Sequence, residues 1–169
     1  GDISALAEQL FSLAEAGDLD QLWQTFGIGA MRMERTRELM LRSPERHSRF
    51  IDVLVSGLSH RKPRARFAYA HILDSFGDTR CVEPRKRLMD DPVPRVRWMA
   101  MHALTCHACN PDTCPDDPAL IARIAHHARS DESLTVRRQA TISLGLTRNP
   151  AVEPILRDIL ASVDDEAHR

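Results

Sequence analysis

"ARFAYAHIL" (65–73), "VRWMAMHAL" (96–104) and "VRRQATISL" (136–144) align without gaps. Each begins with an aliphatic–Arg pair and runs into small and apolar residues spaced three and four apart. That is the period of an α-helix burying one face. The segments start 31 and 40 residues apart. A second helical pattern follows each, over 82–90, 118–129 and 151–163, and two of these carry "VEP", at 82–84 and 152–154. The pattern predicts a unit of helix, turn and returning helix. Such a unit cannot bury its apolar face alone and must stack on a neighbour. Almost nothing in the chain reads as strand.

Toward the N-terminus the helical period continues without the repeat. Ile3, Leu6, Leu10 and Leu13 make one stripe. Asp18 has the chemistry of an N-cap for a short helix carrying Leu19, Leu22, Trp23 and Phe26. A third candidate spans 31–41. Ser43-Pro44 then supplies a cap and a first-turn proline before Phe50, Ile51, Leu54, Val55 and Leu58. Residues 1–59 are expected to be capping helices, 60–163 the repeats, and 164–169 a fraying acidic tail, all within a single domain of residues 1–169.

In two of the units an acid stands six residues ahead of the leading arginine. "DDPVPRVRWMAMHAL" (90–104) and "DESLTVRRQATISLG" (131–145) carry this pattern, and the chain resembles HEAT-repeat proteins through it, specifically the short bacterial HEAT-like repeats of phycobilisome-lyase-type proteins. The resemblance covers about residues 60–163. It implies an all-α, right-handed α-solenoid of stacked antiparallel helix pairs with an N-terminal helical cap. It also implies that Asp91, Arg97, Asp131 and Arg137 are structural, forming a ladder between successive repeats. His60 stands where the first unit would have its acid, ahead of Arg66.

Composition narrows the class. Hydrophobic residues make up 43% of 169, enough for a sizeable core. No apolar run approaches the ~18 residues of a membrane span. Four cysteines at uneven spacing do not make a secreted disulfide framework, so a reducing cytoplasm is expected. The net charge of −1 argues against a dedicated nucleic-acid binder. The charge is uneven, however, with a basic excess over 61–110 and an acidic excess on either side.

The longer spacing between the second and third aligned segments is caused by "LTCHACNPDTCP" (104–115), which holds three of the cysteines. Cys106-x2-Cys109 lets two thiolates converge around a tight turn, and Asn110-Pro111 is a turn signal that brings Cys114 back. Tetrahedral zinc needs a fourth ligand. His102, four residues before Cys106, shares its helix face, whereas His107 points away, and Asp112 is a weaker candidate. At the level of sequence three readings stay open: a zinc site of His102, Cys106, Cys109 and Cys114; a redox pair; and a plain loop whose thiols are small buried hydrophobes. A thioredoxin-like strand–helix context for the redox reading is missing.

"RKPRAR" (61–66) and "RKR" (85–87) make the middle of the chain basic. Arg85 and Lys86 occupy positions that hold Ile155 and Leu156 after the second "VEP". Charged residues at a packing position either snorkel or are exposed for a purpose. Arg64, Arg85, Lys86, Arg87 and Trp98 are therefore candidates for contact with a protein partner. Phe67 and Trp98 share one repeat position and would form an aromatic patch if it faces outward.

No G-x-S-x-G elbow and no glycine-rich phosphate loop is present. The expected function is a non-catalytic scaffold for protein–protein interaction, with a structural zinc in the 106–114 loop, no membrane and no nucleic acid. Two rivals stay open: a tetrapyrrole (phycobilin) lyase-like enzyme, which the same resemblance implies, and a HEAT-like DNA-binding or base-excision module, which a resemblance to the alkylpurine DNA glycosylases implies.

Overall fold

In a computed structural model of the chain, the described residues are 3–18, 21–22, 42–110 and 117–167. They form α1 (Ile3–Ala16), α2 (Pro44–Gly57), α3 (Pro63–Phe76), a single 3-10 turn (Thr79–Cys81), α4 (Val82–Leu88), α5 (Pro94–Thr105), α6 (Pro118–Ser130), α7 (Leu134–Leu146) and α8 (Val152–Ala167). No strand occurs among these residues, and none of these helices is long and apolar enough to cross a membrane. The candidate helix at 31–41, with Trp23 and Phe26, lies outside the described residues.

Proline sets four of the helix starts. Pro44, Pro63, Pro94 and Pro118 each open a helix, where the missing N–H costs no hydrogen bond. The ring also forces the preceding residue out of the helical region. Lys62, Val93 and Asp117 are accordingly extended. At the far end α8 runs on to Ala167, through most of the stretch read as a tail, because no glycine or proline follows Pro154 of its first turn.

The chain divides into two compact units, residues 1–81 and 82–169. The boundary falls later than the 59/60 break in the sequence pattern, because α3, the first aligned helix, packs on α2. In the first unit, α1 also packs on α2. Phe50 sits at the centre, edge-on to Phe11 at 5.1 Å and to Phe76 at 5.8 Å between ring centroids. Gly17, with φ of 69°, takes the left-handed turn that ends α1. Asp18 then accepts the Gln21 N–H at 3.2 Å, as an N-cap would. Gly57 has no side chain because the Tyr69 ring lies directly against it.

In the second unit the tight hairpins are α4–α5, joined by residues 89–93, and α6–α7, joined by 131–133. Turns this short force each pair to run antiparallel and touch. The sequence reading follows each aligned helix with a returning helix, and of these pairs α7 and α8 pack on each other. α5 and α7 pack on each other, and α8 packs on both α6 and α7. The core is aliphatic, with Val96, Met99, Met101, Leu104, Ile124, Val136 and Leu144 essentially buried. A polar seam runs through it. Thr105 Oγ1 lies 2.9 Å from Ser143 Oγ, and Gln139 Nε2 donates to the same hydroxyl at 3.2 Å.

Three turns repeat one set of contacts. The leading arginine donates from Nη1 to the carbonyl six residues before it: Arg66 to His60 at 2.8 Å, Arg97 to Asp91 at 2.8 Å, and Arg137 to Asp131 at 2.7 Å. The side chain at that same position accepts the N–H two residues on. Asp91 Oδ1 takes it from Val93 and Asp131 Oδ1 from Ser133, each at 2.9 Å. His60 does the same work with ring Nδ1, at 3.1 Å from the Lys62 nitrogen. A neutral imidazole nitrogen is an acceptor of the right reach, so the absent acid does not cost the turn its form.

Candidate metal centre

α5 places His102 and Cys106 one turn apart, so both side chains leave the same face. Cys106 ends the helix with its N–H on the His102 carbonyl at 2.9 Å. Its own carbonyl then accepts two N–H groups, from Cys109 at 3.1 Å and from Asn110 at 2.9 Å. That double acceptance folds the chain back and swings Cys109 under the helix end. Cys106 Sγ and Cys109 Sγ come within 3.0 Å, and Cys109 Sγ lies 3.7 Å from His102 Nε2. All three ligand atoms fall within 4.8 Å of one another, and all three residues are half-buried. Among the described residues this is the one such group of His, Cys, Asp or Glu.

The dimensions can be tested against a metal. Zn–S of about 2.3 Å and Zn–N of about 2.0 Å set tetrahedral edges of about 3.8 Å for S···S and about 3.5 Å for N···S. The imidazole–thiol separation already matches. The two thiols stand closer than the tetrahedral edge and would open by about 0.8 Å, which a small χ1 rotation of either supplies. Two thiols and an imidazole are soft to borderline donors, suited to zinc rather than to magnesium or calcium. His107, also half-buried, is not part of the group; it lies in the turn beyond α5, which ends at Thr105. Cys114 and Asp112 lie outside the described residues.

One turn further back on the same face, Trp98 stacks flat on the imidazole, with centroids 5.7 Å apart and planes at 3°. Trp98 is half-buried and engaged with His102. Phe67 and His71 repeat the spacing in the first unit, at 5.9 Å, and Phe67 is buried there. At Phe67 the shared position faces inward, so it adds nothing to an outward aromatic patch.

The basic candidates separate sharply. Arg64 and Arg87 are exposed. Arg85 is 0% exposed and cannot belong to a contact surface. Its guanidinium donates to the Ala103 carbonyl at 3.4 Å and to Asn110 Oδ1 at 3.2 Å. Lys86 is also drawn inward, bonded to Asp117 at 2.8 Å and Glu83 at 2.9 Å. The bonds that Lys86 donates to Asp117 and Glu83 raise the pKa of its ammonium, and the same Lys86 bond, helped by the Ala119 N–H, lowers that of Asp117. Asp117 is the N-cap of α6, so this acid, close in sequence to the cysteines, is already occupied. The sequence contained the signal for that role in Asp117-Pro118. It contained none for Asn110 or for the Ala103 carbonyl.

Of the acid and arginine residues singled out in the sequence, Arg97 and Asp131 form an ion pair across two hairpins. Arg97 Nε and Nη2 grip the two carboxylate oxygens at 2.9 and 2.7 Å, with side-chain exposures of 8% and 3%. Burial by itself would push the Asp131 carboxyl up. Arg97, the Ser133 N–H and His127 outweigh it and hold the pKa at about 2.

Comparison with protein-family models, with curated proteins and with solved structures returns no match. Fold and site together define a chain whose described residues form helices and no strand, with a His–Cys–Cys donor group at one helix end.

Proposed function

We propose that this chain is a non-catalytic, HEAT-like scaffold for protein–protein interaction whose cysteine loop carries a structural zinc. His102, Cys106 and Cys109 hold the ion, and Cys114 completes the tetrahedron. The observation that carries this reading is the convergence of three donor atoms within 4.8 Å. A structural zinc contributes folding free energy to the segment it closes, and here it fixes a surface insertion to the end of α5. The scaffold part is supported by the arginine–carbonyl contact that recurs at residues 66, 97 and 137.

Elemental analysis of the purified protein tests the metal. One zinc per chain is expected, and it is lost when Cys106 and Cys109 are both replaced by Ser. Protein that takes up no zinc and unfolds identically with and without a chelator refutes it. With Arg85 and Lys86 turned inward, Arg87 is the residue of that cluster left to meet a partner, so Arg87→Glu should weaken partner capture and leave the fold intact. Steeply salt-dependent binding to duplex DNA, or a spectral change with a tetrapyrrole, would replace the scaffold reading with one of its rivals.

A further inference from the structure

Arg85 stands where the last repeat has Ile155, in "VEPRK" against "VEPIL". A cation replaces an apolar side chain at a position that is 0% exposed. Burying a guanidinium is costly unless its donors are used. Two of its bonds go to the cysteine segment. Ala103, whose carbonyl accepts from Nη1, follows His102 directly. Asn110, whose Oδ1 accepts from Nη2, follows Cys109 directly. The guanidinium thus touches the chain immediately after the first and the last of the three donors. Asn110 is itself buried, and its N–H closes the turn on the Cys106 carbonyl. The Ala103 carbonyl belongs to the last turn of α5, the negative end of the helix dipole, where a cation is favoured. The next residue, Lys86, replaces Leu156 and holds Asp117, at the other shoulder of the same segment.

We infer that Arg85 is a positioning residue for the metal centre, with Lys86 as a secondary tie. The inference rests on the zinc reading above. Arg85 braces the turn that carries Cys109 against the helix that carries His102, so that the donors are close before an ion arrives. Ordering a loop at the moment of binding subtracts from affinity, and a loop ordered in advance does not incur that loss. Lys86, a partly exposed ion pair, adds less.

The test uses the full chain, with zinc affinity measured by competition against a chromophoric chelator and cobalt(II) absorption as the reporter of thiolate geometry. Arg85→Met should weaken zinc binding by roughly 10–100-fold, the usual loss when an outer-shell partner is removed, and should change the cobalt thiolate charge-transfer band. Asn110→Ala, which leaves α4 untouched, should act in the same direction with helix content unchanged, and it decides the matter if Arg85→Met fails to fold. Asn110→Asp keeps an acceptor for the guanidinium and should retain the affinity. Zinc binding in Asn110→Ala and Arg85→Met equal to that of the unmodified chain overturns this inference and leaves the zinc reading standing. An unmodified chain that binds neither zinc nor cobalt overturns both.

Discussion

Replacing Asp131 by Asn keeps an acceptor for the Ser133 N–H and removes the charge that faces Arg97. In the folded chain the carboxyl is held at about 2, against an ordinary value of 3.8. A gap of about two units corresponds to about 2–3 kcal/mol of stability at neutral pH. Because the folded value is the lower one, this contribution is complete above about pH 5 and disappears as the pH falls through 4 toward 2. The variant also leaves Arg97 facing an amide at a site where its side chain is 8% exposed. Removing one partner of a buried pair costs about 3–5 kcal/mol. Glu132, 3.3 Å from Nη2 and largely exposed, recovers part of that. We therefore expect Asp131→Asn to lose about 2–4 kcal/mol at pH 7. Urea unfolding followed by circular dichroism, on both proteins from pH 7 to pH 2.5, measures it. The difference between them should stay constant down to about pH 5 and shrink to about 1 kcal/mol at pH 2.5, where the unfolded carboxyl is protonated and the folded one, at about 2, is approaching its own titration. A difference that ignores pH, or a variant as stable as the parent at pH 7, would show that the pair does not hold this turn.

Gly57→Ala should destabilise the first unit by about 1–3 kcal/mol, since the new methyl meets the Tyr69 ring at its inner carbons rather than at a movable tip; thermal unfolding reads this, and an unchanged midpoint would mean that α2 and α3 separate freely. His60→Asp should leave the turn intact, because a carboxylate oxygen can accept the Lys62 N–H as it does at 91 and 131. The added charge at the start of α3 should stabilise by about 0.3–1 kcal/mol at pH 7 and by nothing once the acid is protonated below about pH 3; a loss of stability at neutral pH would count against the equivalence of the three turns.

The helices were legible because the signals are local. Apolar spacing, proline at the first turn and the acid–arginine interval each act within a few residues, so "DDPVPRVRWMAMHAL" announces the turn and helix it forms. The same holds for the pairing of His102 with Cys106, which needs only the helix pitch, and for the return of Cys109, which needs only a tight turn. The Arg97–Asp131 contact was reachable through the resemblance, not through spacing, because the two residues lie in different hairpins. Periodicity does not say on which of its two flanking helices a helix packs: α7 packs on α6 before it and on α8 after it.

Among the described residues, sequence by itself determined most of the helical segments, where several helices begin, and which histidine stands beside the cysteines, because those outcomes follow from backbone geometry over one or two turns. Only the tertiary structure decided what Arg85 and Lys86 do. A charged side chain looks like surface in any local window, and its burial depends on what the chain brings back across it 25 and 31 residues later. Here that is Asn110 and Asp117, the two shoulders of the cysteine loop.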